Sequence, residues 1–494
     1  MTVHVRTMAL AGTLSLAAVL ATGCRVGPVY QKPVSMAPPA FKEAPPASFG
    51  EADGWTIAQP QDATPRGAWW TVFGDPQLDA LEAEVDTANQ TLKEADANYR
   101  AAAAYVAFYR ANRAPAVGVA PMLGAERYST NQPYFNPSSP AAKADGVGDL
   151  SLPFSLNYEV DLWGRIHRSI EQAGDQAQAS AADREAIRLS LHAELATDYL
   201  DLRAADAQKK LLTETVAAFK RALQLTQDRY EGGASPLSDV SQARTQLQSA
   251  QVQETDVDVQ RAQLEHAIAV LTGQAPANLT IPRTPLTVNP PMLPRVPGML
   301  PSQLLERRPD IAAAERRTAA ANEQIGIAQA AFYPTLSISA TAGFLGTSMV
   351  NWFTWPSRFF AVGPTFSQML YDHGRRASLT TVARAQYDSA VADYQQTTLT
   401  AFSQVEDNLA ALRNLEIEAE QQRDATASAQ QSLDLFNVRY EGGVDTYLQV
   451  ITWQTALLQN QRNDIDIQRR RLDDSVMLFK ALGGGWNANT LPKP

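Results

Sequence analysis

Cys24 is the only cysteine in this chain of 494 residues, and it closes the run Leu20-Ala21-Thr22-Gly23-Cys24. A thiol without a second thiol cannot form an internal disulfide, so the chemistry left to it is modification. Ahead of it stand one basic residue, Arg6, and an apolar stretch from Met8 to Leu20. That stretch is too short to cross a bilayer. A charged start, a short apolar core and small residues at the cut make a secretory signal peptide. Small residues directly before a cysteine have the form of a bacterial lipobox, where the cysteine becomes the mature N-terminus and carries a lipid. Residues 1–23 are therefore expected to leave as a lipoprotein signal peptide, with Cys24 as the lipid attachment point. Arg25 follows, not the Asp that holds such proteins at the inner membrane, so sorting to the outer membrane is expected.

No other constellation offers chemistry. His4, His167, His192, His266 and His373 are scattered without metal-ligand spacing. The sequence has no Gly-rich phosphate loop, nucleophile elbow or clustered acid–base set. No enzyme activity is expected, and no cofactor beyond the covalent lipid. The net charge is −10 with no basic cluster, which argues against nucleic acid as a partner.

The organisation of the chain is a duplication. Arg229-Tyr230-Glu231-Gly232-Gly233 returns 210 residues later as Arg439-Tyr440-Glu441-Gly442-Gly443. The same offset relates Gly164-Arg165 to Gly374-Arg375, Leu202-Arg203 to Leu412-Arg413, and Gly273 to Gly483. Upstream the register slips, since Arg113-Ala114-Pro115 answers Phe332-Tyr333-Pro334 at an offset of 219. Two copies are read at 78–273 and 301–483, after an extended segment over 24–77 and before a tail at 484–494. Between them, eight prolines from Pro276 to Pro301 make the 274–300 stretch an extended connector.

Each copy reads as helical rods. Gly374 to Tyr440 holds no proline or interior glycine, and Leu379, Ala383, Tyr387, Ala390, Tyr394, Thr398, Phe402, Val405, Leu409 and Leu412 recur at helical spacing. At 1.5 Å per residue this helix is about 99 Å long. Gly442-Gly443 ends it. A second helix from about Thr446 to Leu482 returns as an antiparallel hairpin, and a third spans Pro309 to Phe332. The two shorter helices end to end nearly match the long one.

Before the long helix the period changes to two. Leu150, Leu152, Phe154, Leu156, Tyr158, Val160 and Leu162 alternate with Asp149, Ser151, Pro153, Ser155, Asn157, Glu159 and Asp161. This pattern suits a tilted strand crossing a bilayer, apolar towards lipid and polar towards an aqueous lumen. Copy two repeats the apolar face at Phe360, Val362, Pro364, Phe366 and Leu370, and starts its other strand at Thr335-Leu336-Ser337-Ile338-Ser339-Ala340. Val117-Gly118-Val119 is the matching start in copy one. Trp352, Phe353 and Trp355 fit either an aromatic girdle or an ordinary cluster. Four strands per chain cannot close a membrane barrel, and lipid does not tolerate open edges. The chain is expected to share its barrel with copies of itself.

The sequence resembles the TolC-like outer-membrane factors, and most closely their lipoprotein, NodT-type branch. The resemblance rests on Cys24-Arg25-Val26-Gly27-Pro28-Val29-Tyr30-Gln31-Lys32-Pro33, Trp69-Trp70-Thr71-Val72-Phe73-Gly74-Asp75-Pro76, Arg307-Arg308-Pro309-Asp310-Ile311, Ala331-Phe332-Tyr333-Pro334 and Ala481-Leu482-Gly483-Gly484-Gly485-Trp486. It implies a mixed α/β membrane protein, in which a homotrimer forms a twelve-stranded outer-membrane β-barrel continued by an α-helical hairpin tunnel. It implies a passive exit duct in a tripartite efflux pump, with a periplasmic adaptor and an inner-membrane RND transporter as partners. A type I protein-secretion duct shares the fold and is the alternative; a periplasmic lipoprotein rod is a third reading, opposed by the lipid-type strand.

The resemblance further implies that the hairpin tips form the periplasmic iris and meet the adaptor. The matching residues are Arg229, Tyr230, Gly232 and Gly233, and Arg439, Tyr440, Gly442 and Gly443. Asp239 and Asp445 match tip positions that carry charge. Relatives line the narrowest ring with Asp where this chain has Gln449 and Thr452. Closure by the acidic residues, or an apolar closure by Tyr447 and Leu448, both remain open.

Overall fold

The computed structural model describes residues 25–34, 37–43, 67–127, 129, 131, 147–286, 301–486, 488 and 491–492. The signal peptide, Cys24, residues 44–66 and the 287–300 part of the connector lie outside them. In chain order the helices are α1 (Pro76–Ala88), α2 (Gln90–Ala111), α3 (Arg165–Glu231), α4 (Leu237–Leu271), α5 (Pro301–Arg307), α6 (Pro309–Ala330), α7 (Arg375–Glu441) and α8 (Tyr447–Ala481). The strands are β1 (Ala116–Val119), β2 (Met122–Glu126), β3 (Val147–Val160), β4 (Thr335–Gly346) and β5 (Arg358–Ser367).

The long helices α3 and α7 have 67 residues each, about 100 Å at the α-helical rise. Each runs from the sheet to a Gly-Gly tip, and a 35-residue helix, α4 or α8, returns halfway. The 22-residue helices α2 and α6 occupy the other half of the second row. Side chains at the two junctions join the stacked pieces. Asn89, the N-cap of α2, donates through Nδ2 to the last carbonyl of α4 at Leu271 (2.8 Å). Arg308, the N-cap of α6, donates to the last carbonyl of α8 at Ala481 (3.1 Å). Helix ends otherwise lack partners for these carbonyls.

The bends after α4 and α8 depend on glycine. Gly273 and Gly483 have φ of 70° and 90°. A Cβ on Gly483 would lie 2.1 Å from the Arg307 carbonyl oxygen. Gly483→Ala is expected to cost at least about 1–3 kcal/mol per chain. Gly442→Ala, at φ −75° with its nearest neighbour at 3.4 Å, is expected to stay within about 0.5 kcal/mol of wild type. Thermal unfolding of the two variants checks the difference.

The core sits at this junction level. Trp69, Leu78, Val85, Leu195, Tyr199, Leu202, Ile268, Leu304, Leu412, Val476 and Phe479 pack there, and Trp69 stacks on Phe479 at 5.6 Å. The helical clamp α1 and the 3-10 helix Trp69–Phe73 hold the middle of α3. Away from this level Ala is the commonest buried apolar residue.

The strands form one antiparallel sheet in the order β1, β3, β4, β5, with β2 also on β3. Ala116 faces Asn157 and Met122 faces Ser151 in a single register, so β1 and β2 are one strand interrupted at Pro121. Proline has no N–H for the ladder. Four strands per chain therefore stand, and the barrel is not closed within one chain. Across β3, β4 and β5, the rows Phe154–Ala342–Phe360, Leu156–Ala340–Val362 and Tyr158–Ile338–Pro364 share one face. Ser155–Thr341–Ala361, Asn157–Ser339–Gly363 and Glu159–Ser337–Thr365 share the other. No described residue covers the apolar face, where Phe360 is 82% exposed and Val362 71%.

The strand is shorter than its alternation. Asp161 and Leu162 lie beyond β3, and Leu370 beyond β5. Asp161 instead caps α3, accepting from the backbone N–H groups of Ile166 (3.1 Å) and His167 (2.8 Å). The helix start needed an acceptor, and the carboxylate beside it was recruited. At the far end of the sheet Trp352, Phe353 and Phe344 form a cluster, with Phe353 and Trp355 exposed. No described helix is long and apolar enough to cross a membrane.

Candidate functional site: the hairpin tips

Each tip is a Schellman turn, set by the same backbone bonds. Gly233 donates to Tyr230 O (3.0 Å) and Ala234 to Arg229 O (2.8 Å); Gly443 donates to Tyr440 O (3.0 Å) and Val444 to Arg439 O (2.9 Å). Gly233 and Gly443 sit at φ 74° and 73°, where other residues are strained. Nothing lies within 4 Å of a Cβ added at either, so open space surrounds both. Gly232 and Gly442 have ordinary right-handed backbone.

The repeated pentapeptide is used asymmetrically. Tyr440 is buried, at 5% exposure, whereas its counterpart Tyr230 is 44% exposed. The Arg229 guanidinium lies over the Tyr440 ring, 4.6 Å from its centroid, and donates to Glu441 O at 3.4 Å. The Tyr440 hydroxyl is 3.5 Å from Ser235 Oγ, and its ring meets that of Tyr447 at 5.3 Å. Ala243, Val450 and Ile451 close the cluster from below. Residues from both hairpins thus meet on Tyr440. Arg439, the counterpart of Arg229, pairs instead with Asp445 in its own tip.

Tyr447 belongs to this contact and is buried, so it does not share a surface with Leu448. Burial pushes the Tyr447 phenol up to about 12, which keeps it neutral. Leu448, Gln449 and Thr452 are exposed at the start of α8, and Thr452 Oγ1 donates to Leu448 O at 2.9 Å. Asp239 lies in the first turn of α4; burial raises its pKa, opposed by Ser238 and Arg229. Asp239 and Asp445 therefore each have a basic neighbour. Ser235, Ala243, Val450 and Ile451 carry no sequence signal of their own, because each contributes only through a contact between separate hairpins.

At the opposite end, the described chain begins beside the sheet. Val26 N donates to Trp163 O at 3.2 Å, and Trp163 Nε1 donates to Pro334 O at 2.7 Å. Trp163 stacks on Tyr333 at 4.7 Å. Arg25 bonds Glu171 and Glu323, and buried Arg168 reaches Glu323 at 2.7 Å. Further along, Tyr30 donates to Glu315 (2.6 Å), and the backbones of Lys42 and Glu43 donate to Glu406 (2.7 and 2.8 Å). The described segment from Arg25 thus descends the helices from the sheet rim.

Known proteins share this architecture over nearly the whole chain. The probable efflux pump outer membrane protein TtgC of Pseudomonas putida is 32% identical over 481 residues, covering 97% of this chain and 96% of that one. The outer membrane protein OprJ of Pseudomonas aeruginosa is 34% identical over 456 residues, covering 92% and 93%. The solved outer-membrane channel OprN superposes with a TM-score of 0.81 at 25% identity, covering 94% of this chain and all of that one. The family described as outer membrane efflux protein matches residues 79–274 and 300–484. Helical rods, a two-faced open sheet and these matches agree, and the chain belongs to the outer membrane efflux protein family.

Proposed function

We propose that the chain is a passive exit duct of an RND-type efflux pump, without enzyme activity and anchored by a lipid on Cys24. Three copies close a twelve-stranded barrel, and six hairpins continue it as a tunnel. A periplasmic adaptor meets the tips, and an inner-membrane transporter supplies the energy. The observation that carries this reading is the uncovered apolar sheet face at one end of rods about 100 Å long. A face of that kind sits stably in lipid, and the tips are then the part that reaches an inner-membrane partner. Expression in a strain lacking its own duct is expected to restore export of a pump substrate, with a heat-modifiable trimer in the outer membrane. Trimers that insert but never restore export with any efflux adaptor and transporter would point to protein secretion.

The lipid reading rests on the signal sequence and is supported by the position of Arg25 at the sheet rim. Mass spectrometry of the mature protein is expected to find acylated Cys24 at the N-terminus. Cys24→Ser is expected to reduce attachment severalfold and leave folding intact, because the barrel itself holds the membrane. An unmodified Cys24 on a chain still beginning at Met1 would refute it.

A further inference from the structure

The open sheet has two edges, the β1/β2 strand and β5. In lipid both must be paired. A ring of copies brings β5 of one beside β1 of the next. The helix that follows β5 is α7 and the helix that precedes β1 is α2, so the start of α7 and the end of α2 come side by side at every seam. Their exposed apolar residues stand at matching depths. Phe108 and Tyr105 lie one and two turns from the end of α2; Leu379 and Val382 lie one and two turns into α7, and all four are at least half exposed.

The charges on these ends have one sign. After Asp96, α2 carries Arg100 and Arg110, with Arg113 just beyond it, and no carboxylate. From Arg375 to Tyr387, α7 carries Arg375, Arg376 and Arg384 and no carboxylate. Arg100 pairs with Asp96 and Arg376 with Asp372. Arg113 Nη2 donates to His167 Nδ1 at 2.6 Å, and Arg110 and Arg375 make no ion pair among the described residues. The seam thus gathers Arg110 and Arg113 from one copy and Arg375 from the next, at the level where the apolar face ends.

We propose that each seam holds the phosphate headgroup of an anionic phospholipid of the inner leaflet, gripped by Arg110, Arg113 and the adjacent copy's Arg375. The proposal rests on the shared-barrel reading. Guanidinium forks match phosphate geometry. A diacyl tail on that phosphate lies along exposed Val117, Val362 and Phe366, which a free phosphate cannot use.

The test uses the purified full-length protein in detergent and records the temperature at which SDS-resistant trimers dissociate. Phosphatidylglycerol is expected to raise it by several degrees more than phosphatidylcholine, while inorganic phosphate raises it little. Arg110→Gln/Arg113→Gln/Arg375→Gln is expected to lose that extra increment and keep the phosphatidylcholine response. The corresponding Lys triple is expected to retain most of the increment, which separates lost charge from lost folding. An equal response of the wild type to both lipids, or a full phosphatidylglycerol increment in the Gln triple, overturns the headgroup site alone. Failure of the wild type to form trimers or enter vesicles overturns the shared barrel and the site with it.

Discussion

Cells carrying Tyr440→Ala become permeable to large antibiotics such as vancomycin while still assembling trimers; this is the expected result of removing a side chain on which both hairpin tips converge. Tyr440 holds Arg229 over its ring, touches Ser235 through its hydroxyl and packs on Tyr447. Truncating a buried aromatic costs about 3–5 kcal/mol in a closed core. The tip is open on its outer side, so about 2–3 kcal/mol per chain is a fairer figure for the closed state. A tip equilibrium displaced by that amount changes its open population by roughly 30–150-fold. Tyr230→Ala is the control, because the same residue type in the same pentapeptide is 44% exposed and its side chain makes no hydrogen bond or ring contact among the described residues. Equal leakage from both variants would remove Tyr440 from the gate. Closure is also expected to respond weakly to divalent cations, since Asp239 and Asp445 already have arginines beside them. Single-channel conductance with millimolar divalent ions on the periplasmic side tests this; strong block would return the gate to the carboxylates.

The contrast between Tyr440 and Tyr230 marks the limit of what the residues disclosed in advance. Helix and strand periods are local, and in the second copy they locate the long helix to within a residue: the run Gly374 to Tyr440 corresponds to Arg375–Glu441. The duplication was equally visible, because it needs only a comparison of the chain with itself. The asymmetry between the tips was not visible. It depends on which residues of one hairpin lie across from the other, and identical pentapeptides take different partners there. Tyr447 shows the same limit, since its apolar ring suited a lumen lining as well as the tip core that holds it. Asp161 shows another: a strand pattern cannot register that its last polar member will turn to cap the next helix. The sequence pattern marks only Val117-Gly118-Val119 of the first strand; the interruption at Pro121, and the one strand that continues through it, are visible only in the shared register on β3.

Sheet faces were legible because period two admits only two assignments, and they support the second large effect. Leu156→Arg is expected to abolish most trimer assembly, and Asn157→Arg to leave it nearly intact. Leu156 lies in the middle of β3, flanked by Val117, Ala340 and then Val362 on the uncovered apolar face. An arginine at the bilayer midplane costs about 2–4 kcal/mol per chain, so three copies lose roughly 6–12 kcal/mol in the assembled barrel. Asn157 sits one residue on and faces the other way, beside Ser339 and Gly363. Yields of SDS-resistant trimer compare the two directly, and equal yields would refute the assigned faces. A covering protein surface would also reject Leu156→Arg, so a second measurement must identify lipid. A tryptophan at 156 is expected to be quenched by brominated acyl chains, and one at 157 by a water-soluble quencher instead. Quenching of both positions only from water would leave the apolar face without its bilayer.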